Sequence, residues 1–340
     1  RTLVLTTAEG KVEEARPFAD QLAKKVPNNH NAKLLQAVTS LRGKKFAEAI
    51  AHYEKANGSP LHDLSKALVT AWAEFGRGEV DKAVAILDAA AGQPWYSVYT
   101  DLHSGYILAA AGRSSDALSR FETAYQPNRN AVLLAVAYAR ALSQVGKMKE
   151  VQQVVDDFTL RFPDNPLMQR TAQAIASGKP LAANIRTSTE GVAAALSDIG
   201  LIIGQEGSLE ISAFFYRLSL YLQPQLAGGL SAMSFGNVLE ANNRFEEAIE
   251  VYESVVPESA YRKPALLRAA ISLNRLDRAD EAEKVFEEVL GGSEGKDIQV
   301  LIAYGNMQRG RERYSEAADL YSRAIDQLDE PTRQDWSLFY

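Results

Sequence analysis

Along most of the chain, apolar residues recur three and four positions apart, the period that lines one face of an α-helix, in short stretches separated by polar turns. In "KKFAEAIAHYEKA", "NRFEEAIEVYESV" and "RERYSEAADLYSRAI", a small residue is followed four positions later by an aromatic and three later by another small or apolar residue. The small residue falls at Ala15, Ala49, Ala83, Ala117, Val151, Ser212, Ala248, Ala282 and Ala317. Successive separations are 34, 34, 34, 34, 61, 36, 34 and 35 residues. The residue four further on is Tyr53, Leu87, Phe121, Val155, Tyr216, Tyr252, Phe286 or Tyr321.

Twelve residues before the small position a second series appears: Ala37, Ala71, Gly105, Ala139, Gly200, Gly236, Ala270 and Gly305. Every member is Ala or Gly, which predicts a close approach of two antiparallel helices. Turn residues fall between the series at Gly10, Gly43, Gly78, Gly112 and Gly146, and at the polar Asn242, Asn243 and Arg311 later on. Each unit therefore reads as helix, short turn, helix. A fixed period near 34 residues implies stacked units, because one helix pair cannot bury its own apolar face.

With its 34-residue period, small–aromatic–Ala order and terminal prolines at Pro27, Pro163 and Pro224, the chain resembles the tetratricopeptide repeat family. The resemblance implies an all-α, right-handed α-solenoid of about nine stacked antiparallel helix pairs with partial units at both ends. Residues 1–163 form the expected N-terminal segment of about five repeats, the first truncated. Residues 164–192, with a helix predicted near 166–177 and then "GKPLAAN", are an irregular helix plus linker, read either as a degenerate pair that keeps the stack continuous or as a hinge. Residues 193–340 form the C-terminal segment of about four repeats. "PTRQDWSLFY" at 331–340 reads as the opening of a further repeat, so the chain is expected to be part of a longer array.

The resemblance also implies that first-helix positions 5, 9 and 12 line a concave groove. In the N-terminal segment these give Val38 and Leu41, then Leu68, Trp72 and Phe75, then Leu102 and Tyr106, then Val136 and Arg140. Trp72, Phe75 and Tyr106 read as core packing or as an exposed aromatic groove. In the C-terminal segment they give Met233, Asn237 and Glu240, then Leu267 and Asn274, then Ile302, Asn306 and Arg309. Asparagine both donates and accepts, so these amides either hold the main chain of an extended peptide or face water, and Arg309 is suited to a carboxylate. The best-known members grip a terminal carboxylate with paired basic and asparagine residues, a set the first repeats here do not reproduce.

Composition narrows the function. The formal charge of −6 with 37 scattered Lys and Arg argues against nucleic acid. No run of 18 apolar residues spans a bilayer, and the absence of cysteine removes thiol chemistry and disulfides. His30, His52, His62 and His103 show no metal-ligand spacing and read as surface or packing residues; carboxylate pairs such as Glu246 and Glu247 read as solvated helix starts. Neither "AGG" at 227–229 nor "LGG" at 290–292 has the strand or lysine of a phosphate loop. No cofactor, metal or catalytic set is expected, so the chain is not read as an enzyme.

The phrases "SPLHDLSKALVTAWAEFGRGEVDKAVAILD" (59–88), "PWYSVYTDLHSGYILAAAGRSSDA" (94–117) and "EPTRQDWSLFY" at the end resemble alphaproteobacterial envelope proteins. That implies a periplasmic or outer-membrane-associated scaffold, associated with envelope complexes, that binds a protein or extended peptide. The alternative is a targeting arm of a larger enzyme or secretion machine, or a cytoplasmic location.

Overall fold

One backbone conformation recurs at every turn inside a helix pair. Five residues before each small second-helix position, the chain enters the left-handed region, at Gly10, Lys44, Gly78, Gly112, Gly146, Gly207, Asn243, Asp277 and Glu312, with φ between 57° and 88°. The next residue's N–H then bonds back five positions to the first helix, as from Lys45 to the Ser40 carbonyl and from Arg313 to the Gln308 carbonyl. This is the Schellman closure of a helix end. Gly43 and Arg311, the turn residues expected from sequence, sit one position earlier with negative φ. Lys44 and Glu312 carry the left-handed conformation instead, at a cost of about 1–2 kcal/mol each.

The computed structural model describes residues 1–56, 58–90, 95–176, 181, 185–292 and 296–328. Among them are nineteen α-helices and no strand. In order, they are α1 (Thr2–Ala8), α2 (Val12–Lys25), α3 (His30–Arg42), α4 (Phe46–Tyr53), α5 (Pro60–Gly76), α6 (Val80–Ala89), α7 (Tyr96–Ala110), α8 (Ser114–Tyr125), α9 (Val132–Gln144), α10 (Met148–Arg161), α11 (Pro166–Ala176), α12 (Ser188–Gln205) and α13 (Leu209–Leu222). There follow α14 (Leu230–Ala241), α15 (Phe245–Glu253), α16 (Arg262–Arg275), α17 (Ala279–Gly292), α18 (Ile298–Gly310) and α19 (Tyr314–Ile325). From α1 to α11, and again from α14 to α19, consecutive helices pack as antiparallel pairs that stack on their neighbours, which is the expected all-α solenoid architecture.

The Ala/Gly series sits where each second-helix aromatic lies on the first helix. A Cβ on Gly236 would come within 2.2 Å of the Tyr252 ring, one on Gly305 within 2.5 Å of Tyr321, and one on Gly105 within 2.6 Å of Phe121. Tyr53, Tyr216, Tyr252 and Phe286 are at most 1% exposed, so these ring contacts form the core of their pairs.

The chain divides into two compact units, Arg1–Ala227 and Gly228–Tyr340. The sequence reading put the start of the C-terminal segment at residue 193, yet α12 and α13 pack with the first unit. After α11 the stack does not simply continue. Helix α12 lies on α5 and α7, and α13 lies on α1, α2 and α3. The hairpin thus turns back over the first helices of the early repeats. The start of α12 is set by a capping box: the Thr187 hydroxyl accepts from Glu190 N, and the Glu190 carboxylate accepts from Thr187 N at 3.0 Å. Most of the linker on which the degenerate-pair and hinge readings both bear, residues 177–180 and 182–184, lies outside the described residues, as does 331–340.

Candidate peptide-binding face

In the first unit, the face expected to hold a peptide is covered by the protein's own α12–α13 hairpin. Trp72 of α5 is fully buried. Gly191 of α12 presses on its indole so closely that a Cβ there would stand 2.0 Å from the ring. The Ser188 hydroxyl donates to the Trp72 carbonyl at 2.5 Å. Trp72 Nε1–H donates to His103 Nδ1 at 2.9 Å, and the other ring nitrogen of His103 lies 3.1 Å from Asp198 Oδ2 on α12. Because indole only donates, His103 Nδ1 must accept, so Nε2 carries the proton and donates to Asp198. This chain of bonds ties α12 to α5 and α7 through a histidine with no exposed surface.

The remaining aromatic candidates follow. Phe75 meets the Trp72 ring edge-on at 5.4 Å and Tyr106 meets His103 edge-on at 5.9 Å. Tyr106 is 6% exposed. Arg140 is half-buried and lines, with Tyr106, Phe121 and Gln144, a cavity of about 20 Å³, room for about one water; burial lowers its guanidinium pKa from the ordinary value. Further along the hairpin, Arg217 Nε donates to the Ala8 carbonyl at 3.0 Å, Tyr221 bonds Glu13, and the Arg42 guanidinium lies 4.0 Å from the Tyr221 ring centre. Trp72 and Tyr106 therefore present no aromatic groove: both are buried, and Trp72 is the seat of α12. Sequence periodicity held no signal for this, since Gly191, Ser188 and Asp198 lie outside the repeat positions that touch within a pair.

In the second unit no hairpin covers the first-helix face among the described residues. Asn237 and Asn306 are exposed, and each amide oxygen lies within hydrogen-bond reach of the hydroxyl of the tyrosine fifteen residues on: 2.8 Å from Tyr252 and 2.9 Å from Tyr321. The buried ring thus orients the amide, leaving its N–H donors for another partner. Between them, Ile271 and Phe286 occupy the equivalent positions and make no such bond. Asn274 lies on the neighbouring row, in register with Glu240 and Arg309. The three asparagines are therefore two of one row and one of the next, rather than a single ladder.

Glu240, 9% exposed, anchors this face. Its carboxylate accepts from Ser272 Oγ at 2.5 Å, pairs with Arg268 of α16, and lies 2.9 Å from Tyr252 Oη, whose single proton is shared between Glu240 and Asn237. Burial and the adjacent Glu240 raise the Tyr252 phenol pKa, keeping it a donor. Asn237, Glu240, Phe245, Arg268, Ile271 and Arg275 line a recess of about 320 Å³ between α14 and α16. Arg275 lies 5.6 Å from the Phe245 ring centre and, like Arg309, is exposed. Sequence reasoning missed the Tyr252–Glu240–Arg268–Ser272 cluster; the available signal was the fifteen-residue Asn–Tyr spacing at Asn237 and Asn306.

Residues 8–60 and 226–297 match the model of the tetratricopeptide repeat. Solved structures of repeat proteins are similar at low identity. MamA (41-end) from Desulfovibrio magneticus RS-1 is 13% identical, covering 57% of this chain and 94% of its own, with a TM-score of 0.34. YrrB, described as a TPR protein with an unusual peptide-binding site, is 14% identical over 64% of this chain and 95% of its own, at 0.35. The P58(IPK) TPR domain is 16% identical over 98% and 93%, at 0.29. No curated protein matches the sequence. Among the described residues, no group of three or more His, Asp or Glu side chains is placed to hold a metal, and no helix is long and apolar enough to cross a membrane.

Proposed function

We propose that the protein is a non-catalytic interaction scaffold of the bacterial envelope that holds an extended protein segment along α14, α16 and α18. The observation that carries this reading is the contrast between the two units. The first-helix face of the first unit is filled by α12 and α13, whereas that of the second displays Asn237, Asn306 and Arg309 beside a polar recess. Amides held by buried tyrosines are pre-oriented, which lowers the entropy lost on gripping a main chain. The match to a repeat commonly used for protein recognition supports the same reading, and the envelope location rests on the resemblance of residues 59–88 and 94–117 to envelope proteins.

Selection of random extended peptides on the full chain tests it. Selected peptides should lose affinity roughly fivefold with Asn237→Ala or Asn306→Ala, the scale of one neutral hydrogen bond, and keep it with Glu250→Gln on α15. Failure to select any peptide, or selection of peptides indifferent to both asparagines, would remove the groove. Fractionation of the native host, probed for this protein, checks the compartment; recovery in the cytoplasm alone would refute it.

A further inference from the structure

The two helix layers of the second unit carry opposite charge. The first helices, α14, α16 and α18, contain five cationic residues and one acidic residue. The second helices, α15, α17 and α19, contain eleven acidic residues and two cationic ones. A repeat that needed only solubility would scatter both signs over both layers.

Much of the first-helix charge is already matched. Arg262 and Lys263, at the start of α16, pair with Glu288 and Asp297, and the single acid, Glu240, pairs with Arg268. What is left on the face is positive. Arg275 borders the recess with its guanidinium against Phe245, and Arg309 is exposed one repeat further on, in the row of Asn274. A segment lying along these three helices meets cations at two successive repeats, and their one carboxylate, Glu240, is already paired with Arg268.

We propose that the second unit recognises an extended acidic segment of a partner protein, whose side-chain carboxylates meet Arg275 and Arg309 while its main chain meets the amides of Asn237 and Asn306. The assignment rests on the groove reading above and names the chemistry of its occupant. Guanidinium forks suit carboxylates in geometry as well as charge. The acidic outer layer repels the same segment, so it is directed to one face only.

The test uses the full chain and three labelled peptides of equal length, (Glu-Ser)6, (Gln-Ser)6 and (Lys-Ser)6, with binding followed by fluorescence anisotropy. The acidic peptide is expected to bind at least roughly tenfold tighter than either other peptide at low salt, and to weaken as salt screens the pairs. The double variant Arg275→Gln/Arg309→Gln should remove most of that preference, and Glu250→Gln should leave it unchanged. Equal binding of the three peptides, or an acidic preference untouched by the double variant, overturns the proposal. If none of the three binds while peptides from the random selection do, and those are not acidic, the acidic specificity fails and the groove stands. If the random selection is also empty, the groove itself fails.

Discussion

Changing Gly191 to alanine adds one methyl group at the point where α12 rests on Trp72. A Cβ built there lies 2.0, 2.1 and 2.2 Å from three indole carbons, where carbon atoms normally stand about 3.5–4 Å apart. The helix or the ring must therefore move by about 1.5 Å. Neither is free to do so, since the indole is fully buried and bonded to His103, while α12 is held by Ser188 on the Trp72 carbonyl and Asp198 on His103. Overpacking of this kind costs about 1–3 kcal/mol, and the closeness here argues for the upper end. The higher helix propensity of alanine returns at most about 1 kcal/mol. A net loss of about 2 kcal/mol is expected, read by urea denaturation followed by far-UV ellipticity and indole fluorescence. Gly291→Ala serves as the control of opposite sign: its Cβ meets nothing within 4 Å in a helix, so a gain of up to about 1 kcal/mol is expected. If Gly191→Ala were neutral or stabilising, α12 would not lie on Trp72, and the aromatic face of the first unit would be open to partners after all.

Three further outcomes follow from particular contacts. Burial, with His62 stacked at 3.8 Å, pushes the His30 pKa down to about 3 from 6.5; the unfolded chain thus takes up the proton first, and the stability His30 confers is intact above about pH 6.5 and lost at about 1.4 kcal/mol per unit as pH falls from there toward 3. Urea midpoints between pH 7 and 5 should fall accordingly and flatten in His30→Gln; an unchanged slope would refute the assignment. Asp277→Gly relieves a left-handed aspartate and should stabilise the second unit by on the order of 1 kcal/mol, measured as a rise in thermal midpoint; a fall would show that another contact holds Asp277. Glu240→Ala strips the partner from Arg268, Ser272 and Tyr252 at once and should cost about 3–4 kcal/mol, whereas Asn274→Ala, outside that cluster, should stay within about 0.5 kcal/mol; similar losses for both would contradict the network.

The sequence by itself determined the repeating unit, because the contacts that make a helix pair are local. Gly236 meets Tyr252 and Gly305 meets Tyr321 sixteen residues apart, and a spacing that short leaves a periodic imprint. The same imprint located the turns to within a residue. It missed Lys44 and Glu312 as the left-handed positions because the Schellman bonds require that conformation regardless of which side chain must bear it. Only the tertiary structure decided which face is available. The bonds that close the first unit join residues 72 and 188, 103 and 198, and 8 and 217. Such pairs lie about 95–209 positions apart and leave no period to read. For that reason Trp72 and Tyr106 had two readings in the sequence and one in the fold, while the exposure of Asn237 and Asn306 came to light only in the unit where, among the described residues, no returning hairpin covers them.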